Sequence, residues 1–327
     1  MKNDQGLSRR QFVRNSAVGL AVSAAGITSS CSQMPGVSKR PKMPTRTLGR
    51  TGLPVTILTY GGGSQFTAMD DGQWEPHMER AVEMGINLFD TSPGYQWTAS
   101  MSSEERFGKI LPRYRKKILL STKIDSRDVT VAMQEFDRSL KRFKTDCIDI
   151  LMIHGINKDD DPADLEKIYE RMHRLKEEGT VRFIGFTAMN DGPYARDMLR
   201  KMNPDVVILT LNATKFTSMA EEALPAARQL NTGVLAMKVM RNIVGEKATA
   251  RELLQYAWTE QGVATAVIGH NGIEPLEENY RLAMEFGEKG KVASIDRKER
   301  ETRLAPLAGP HALCWARPDY NDGMTTA

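Results

Sequence analysis

The chain has little cysteine: three residues in 327, namely Cys31, Cys147 and Cys314. They are widely spaced and form no C-x-x-C pair, which excludes a disulfide-stapled scaffold and a thiolate zinc site. The five histidines, His77, His154, His173, His270 and His311, share no ligand spacing, so no metal is expected. No apolar run reaches the roughly 20 residues that a membrane-spanning helix requires. Charge is nearly balanced, with 45 Lys and Arg against 41 Asp and Glu, a net +4. Three of those net charges lie in residues 1–31, where Lys2, Arg9, Arg10 and Arg14 face the single acid Asp4. The remainder is close to neutral. A nucleic-acid binder carries its basic surface on the folded body, so nucleic acid is excluded as a partner.

With 40% hydrophobic and 26% charged residues, the chain can bury a sizeable core. Its first part reads as an address. Ser8-Arg9-Arg10-Gln11-Phe12-Val13-Arg14 precedes a weakly apolar stretch, Ala17 to Ile27, and then small residues. That is the layout of an export signal. The paired arginines resemble a twin-arginine signal, which makes the twin-arginine export machinery a partner and places the protein in the periplasm or on the outer side of the membrane. Cys31 is a candidate for lipidation, the one route to membrane attachment; cleavage near Ala24 or Ala25 competes with it. Residues 32–44 read as a linker rich in Ser, Gly, Pro and basic residues. A folded body is expected over 45–290, and a polar tail over 291–327, a candidate to lie over the mouth of the body.

Within the body, short apolar runs alternate with longer amphipathic stretches. Strands are expected at Ile57–Tyr60, Asn87–Phe89, Ile118–Ser121, Ile148–Ile153, Phe183–Phe186, Val206–Leu209, Gly233–Met237 and Ala264–Ile268. Helices are expected over His77–Met84, Val131–Phe143, Leu165–Leu175, Arg251–Trp258 and Leu276–Phe286, from apolar positions at i, i+3, i+4 and i+7. Gly85, Gly179 and Gly233 read as helix C-terminal glycines. Eight strand–helix units over this length predict an α/β fold of the (β/α)8 barrel type. An open doubly wound sheet would want a G-x-G-x-x-G after the first strand; Gly61-Gly62-Gly63 is there instead.

Polar residues close three successive strands. Asp90 ends the second, with Tyr95 on the following loop; Lys123 ends the third; His154 ends the fourth. Such spacing delivers all four to the C-terminal rim, where barrels of this type place their chemistry. An ammonium at Lys123, kept charged by Asp90, is expected to lower the Tyr95 pKa towards a useful acid. With His154 as a second donor, the group would polarise and protonate a carbonyl oxygen.

These residues and their surroundings resemble the aldo-keto reductases. The resemblance spans about residues 46–287 and includes TLGRTGLPVTILTYGGG, FDTSPGY, SEERFGKIL, STK, FDRSLKRFKTDCIDILMIH, LKEEGTVRFIGFT and LEEN. It implies a TIM barrel, a catalytic tetrad of Asp90, Tyr95, Lys123 and His154, and hydride transfer between a nicotinamide cofactor and an aldehyde or ketone, with Tyr95 as the proton donor. NADP(H) is the first expectation and NAD(H) the second. The cofactor positions depart from the family pattern. Thr187 and Ala188, with Asn190 beyond, replace its Ser-Asn; Ile208 replaces a Gln; Met237 replaces a stacking aromatic. Gly269, His270 and Pro275 stand where a 2′-phosphate clamp would be. Glu278 and Asn279 are retained for adenine, and Lys238 and Arg241 are candidates for the diphosphate. Phe66, Trp74 and Trp97 are the substrate candidates. The alternative function is a non-catalytic reductase-like module that binds cofactor or a membrane partner. Nothing in the sequence sets an oligomeric state.

Overall fold

The computed structural model describes residues 43–97, 99–288 and 295–323. The twin-arginine segment, Cys31 and most of the linker lie outside the described residues. Among the described residues no helix is long and apolar enough to cross a membrane.

The chain begins with an antiparallel hairpin, β1 (Thr45–Thr47) and β2 (Pro54–Thr56). Eight parallel strands follow: β3 (Leu58–Gly61), β4 (Leu88–Asp90), β5 (Leu119–Ile124), β6 (Ile148–Ile156), β7 (Val181–Ala188), β8 (Val206–Thr210), β9 (Gly233–Met237) and β10 (Val263–Gly269). Each pairs with the next in sequence, and β10 returns to β3 in the register Ala266 to Leu58 through Gly269 to Gly61. The closed eight-stranded barrel is therefore the observed fold, and every expected strand has its counterpart.

Helices between strands form the outer layer. They are α1 (Ser64–Thr67), α2 (Trp74–Glu83), α3 (Ser103–Ile110), α4 (Val129–Phe143), α5 (Pro162–Glu177), α6 (Gly192–Met202), α7 (Met219–Gln229), α8 (Ala250–Trp258) and α9 (Ile273–Glu288). Their starts carry short polar side chains that accept hydrogen bonds from otherwise unpaired N–H groups. Ser102 with Glu105, and Thr249 with Glu252, make reciprocal capping boxes. Asp128, Asp161 and Asp191 cap α4, α5 and α6. Gly85 and Gly179 take positive φ after their helices, as expected. Gly233 does not. Asn231 supplies the left-handed turn after α7, and Gly233 opens β9. Its own reason is steric: a Cβ there would lie 2.6 Å from Leu48 Cγ in the hairpin loop.

Strand side chains alternate between two apolar clusters. Leu88, Leu119, Ile150, Met152, Val206, Ile208 and Leu235 fill the barrel interior. Leu48, Leu53 and Val55 of the hairpin join them and close the N-terminal end. Their neighbours Phe89, Leu120, Leu151, Ile153, Val207 and Val234 face the helices. Each fully buried side chain of this kind contributes roughly 1.5–3 kcal/mol. Arg46 fixes the hairpin by donating to the carbonyls of Val263 at 2.7 Å and Trp258 at 2.6 Å.

The tail has structure that its composition did not suggest. α10 (Arg297–Leu304) is capped by Asp296 and lies against α8, where Arg297 donates to Tyr256 O at 2.9 Å and Arg300 to Glu252 O at 2.9 Å. Trp315 is fully buried, edge-on to Phe216. The chain then crosses the C-terminal mouth of the barrel.

Candidate active site

The two-residue period carries the interior pattern into polar residues at the strand ends. Asp90 is two beyond Leu88, Lys123 four beyond Leu119, and His154 two beyond Met152, all three on the interior parity. Lys123 Nζ donates to Asp90 Oδ2 at 2.9 Å and to Thr91 O at 2.6 Å. Asp90 Oδ1 accepts from Ser121 Oγ at 2.7 Å. Both members of the ion pair are buried, so each offsets the desolvation of the other. Tyr95 sits above them. Its ring centroid is 5.1 Å from Lys123 Nζ, and the ring stacks on Trp97 at 5.3 Å and meets His154 edge-on at 5.7 Å.

Two further carboxylates surround His154. Asp125 Oδ1 lies 2.6 Å from Nδ1, and Ser92 Oγ approaches both groups. A carboxylate there makes Nδ1 the protonated nitrogen, and Nε2 is itself buried. Nε2 has no hydrogen-bond partner among the described residues. The nearest acid is Asp322 Oδ2 from the tail, at 3.5 Å. Burial alone lowers the His154 pKa, but the Asp125 hydrogen bond and the neighbouring Asp322 carboxylate outweigh it and the net shift is upward.

Tyr95 differs from expectation. Its pKa is pushed well above the ordinary phenol value, first by burial and then by Asp322, Asp90 and Asp125. The Lys123 ammonium, which also pairs with Asp90 and the Thr91 carbonyl, does not offset these effects. Tyr95 is thus a phenol that holds its proton at neutral pH.

A cavity of about 650 Å³ opens across the barrel mouth; His154, edge-on to Tyr95, does not line it. Asp90, Tyr95, Lys123 and Trp97 line one end; Thr187, Ile208, Met237 and Val267 line the wall; Gly269, Asn271, Pro275, Glu278 and Asn279 line the other end. Lys238 and Arg241 stand between. Lys238 donates to Tyr320 OH at 3.0 Å and pairs with Asp322, while Arg241 donates to Ser64 Oγ at 2.9 Å. Burial lowers the Lys238 pKa overall despite that pairing.

Not every sequence candidate lines this cavity. Phe66 and Trp74 are buried behind it, packed on each other and on the Arg106 guanidinium. The single turn of α1 points Phe66 inward and gives Ser64 and Gln65 to the cavity. His270 also faces inward, beside Tyr60 and His77, and burial lowers its pKa to about 3. Asn190 is exposed and donates to Trp315 O at 3.3 Å. Asp125 and Asp322 were missed. Asp125 had a signal, since it continues the interior parity two residues after Lys123; Asp322 had none.

The donor set fits a nicotinamide dinucleotide. An apolar wall of Ile208, Met237 and Val267 suits a ring, the Lys238 and Arg241 cations suit a diphosphate, and the Glu278 and Asn279 side chains suit a base. A parallel barrel carrying a buried Asp–Lys pair, a protonated phenol and a histidine at its mouth, beside such a groove, defines an oxidoreductase of carbonyl groups. Residues 58–252 match the Aldo/keto reductase family, and the chain belongs to that family. It is an NAD(P)H-dependent oxidoreductase acting on small-molecule carbonyl compounds. It is 25% identical over 290 residues to L-galactose dehydrogenase of Arabidopsis thaliana, covering 76% of this chain and 91% of that one. It is 26% identical over 229 residues to D-threo-aldose 1-dehydrogenase of a Pseudomonas species, covering 58% and 68%. Among solved structures, a putative aldo-keto reductase from Pseudomonas aeruginosa superposes with a TM-score of 0.62 at 26% identity, covering 74% and 94%. The holo form of an aldo-keto reductase from Bacillus halodurans shares the fold, with a TM-score of 0.65 at 22% identity, covering 81% and 96%.

Proposed function

We propose that the chain is an exported carbonyl oxidoreductase in which Tyr95 exchanges a proton with the substrate oxygen and Asp90, Lys123 and His154 prepare that exchange. The observation that carries the reading is the convergence of the buried Asp90–Lys123 pair and the His154 ring on Tyr95, which lines one end of the groove. A bound nicotinamide supplies or accepts the hydride. Tyr95 holds its proton until a substrate oxygen gains charge beside it, and Lys123 below the ring stabilises the phenolate left behind. His154 Nε2 donates to the same oxygen when the ring is protonated. With a nicotinamide dinucleotide bound, Arg241 would hold the diphosphate with Lys238, paired to Asp322, at its edge; Glu278 and Asn279 would hold the adenine, and Thr187 and Met237 would flank the nicotinamide. Two relatives are named as dehydrogenases of sugars, so the site is proposed to run towards oxidation as well as reduction.

NADP(H) is the cofactor the family resemblance favours. NAD(H) is the second reading, because among the described residues no Lys or Arg lines the end of the groove at Asn271, Pro275 and Glu278, where a 2′-phosphate would want one. Fluorescence titration of the purified chain with NADPH and with NADH tests both. Tighter NADPH binding supports the first, tighter NADH binding the second, and binding of neither overturns the oxidoreductase reading. Export by the twin-arginine route rests on Ser8 to Arg14. Replacing Arg9 and Arg10 together by Lys is expected to leave the protein inside the cell, as cell fractionation reads; unchanged export refutes the route.

A further inference from the structure

The tail brings a carboxylate into the reaction end of the cavity. Cys314 N donates to Asn242 Oδ1 at 3.1 Å, Trp315 is buried, and Tyr320 and Asp322 both meet Lys238. Gly323 then passes over Gly94, Tyr95 and Trp97. The passage is tight: a Cβ on Gly94 would lie 1.9 Å from Gly323 O, and one on Gly323, whose φ is +79°, would lie 2.7 Å from both Tyr95 and Trp97. Asp322 cannot shift far while this packing holds.

Asp322 borders the cavity without filling it. It lines the same space as Tyr95, Trp97 and Lys123, and that space stays open with the tail in place. Its Oδ2 stands 3.5 Å from the buried His154 Nε2, so its charge sits against the reaction end of the cavity. We infer that Asp322 is a specificity-determining residue, held at the cavity wall by the C-terminal tail, that admits uncharged carbonyl compounds and turns away anionic ones. The inference rests on the reading of this site as a carbonyl oxidoreductase.

The charges support it. Burial opposes ionisation of Asp322, yet Lys238 and His154 hold its pKa far below the usual carboxylate range. An anionic substrate reaching Tyr95 would meet Asp90 and Asp322 on the cavity wall. The two ammonium groups nearest the reaction end are already paired, Lys123 with Asp90 and Lys238 with Asp322. Like charges brought together there are strongly disfavoured.

The test compares benzaldehyde with 4-carboxybenzaldehyde, two rings that differ by one remote charge. The full chain is expected to prefer benzaldehyde in kcat/KM. Asp322→Asn should narrow that preference by about tenfold or more, and Asp322→Glu, which keeps the charge, should retain it. Equal use of both aldehydes by the unaltered chain, or an unchanged ratio in Asp322→Asn, overturns the inference. If Asp322→Asn acted only by releasing the tail, both aldehydes would gain alike and the ratio would stand. Inactivity of the unaltered chain on both aldehydes would count against the oxidoreductase reading instead. Binding of benzoate against benzyl alcohol, followed by Trp97 fluorescence, then decides the inference alone. A gain of benzoate affinity in Asp322→Asn supports it, and no gain overturns it.

Discussion

Replacing Asp125 by Asn removes a full charge 2.6 Å from His154 Nδ1 while keeping the shape of the side chain. A hydrogen bond to a charged group contributes about 1.5–3 kcal/mol. If His154 donates to the substrate oxygen, that loss is expressed in the transition state. At about 1.4 kcal/mol per decade it corresponds to a fall of about 10- to 150-fold in kcat/KM. The pH dependence has a definite sign. Burial lowers the His154 pKa, the Asp125 hydrogen bond and the nearby Asp322 carboxylate outweigh it, Asp125 adds its charge, and Lys123 opposes. The protonated ring therefore persists to higher pH than a free imidazole and is lost as pH rises through the folded pKa. Asp125→Asn withdraws one carboxylate, so the alkaline limb of the profile moves to lower pH. The assay is kcat/KM for benzaldehyde from acid to alkaline pH, with circular dichroism to confirm folding. A folded variant whose kcat/KM and alkaline limb both match the parent would refute the assignment of a donor role to His154.

Other residues give independent checks. His270, with a folded pKa of about 3 against an ordinary 6.5, stays neutral where the unfolded chain takes up a proton. Its contribution to stability is thus lost as pH falls from 6.5 towards 3, at up to about 1.4 kcal/mol per pH unit. His270→Leu should flatten the acid slope of denaturant unfolding by that amount, and an unchanged slope would contradict it. His154, with a raised pKa, works the other way: its contribution is present below pH 6.5 and lost at higher pH. Glu104 is fully buried and accepts from Thr122 Oγ1 and Ser139 Oγ at 2.7 Å each and from Arg142 Nη1 at 3.2 Å, tying α3 to β5 and α4. Glu104→Ala is expected to cost about 1–3 kcal/mol in urea unfolding, because it leaves the buried Thr122 hydroxyl without its acceptor.

The barrel was legible because its signals are local. Each strand is a short apolar run closed by a polar residue, and period two places Asp90, Lys123 and His154 on the inner face. Gly233 was misread for the same local reason: its place after a helix suggested a turn, whereas its contact is with Leu48, far away in sequence. Phe66 and Trp74 illustrate a second limit. Their loop position suggested a pocket, but one turn of helix reverses which residues face the groove, and Arg106 offers them a cationic face to pack on. The Tyr95 shift was misjudged because the sequence shows the ammonium at Lys123 without showing the burial and the carboxylates that outweigh it. Asp322 was beyond reach, since its partners lie on β6 and after β9 and no periodicity links a tail to a barrel mouth.

The central claim is that Tyr95 transfers the proton in a groove that binds a nicotinamide. Tyr95→Phe keeps the ring that stacks on Trp97 and removes only the hydroxyl. Single-turnover hydride transfer in this variant, measured beside a fluorescence titration of the same cofactor, is the most direct test. The predicted result is a rate lower by about 10²- to 10⁴-fold with cofactor binding retained. A rate equal to that of the parent, with cofactor bound, would contradict the claim.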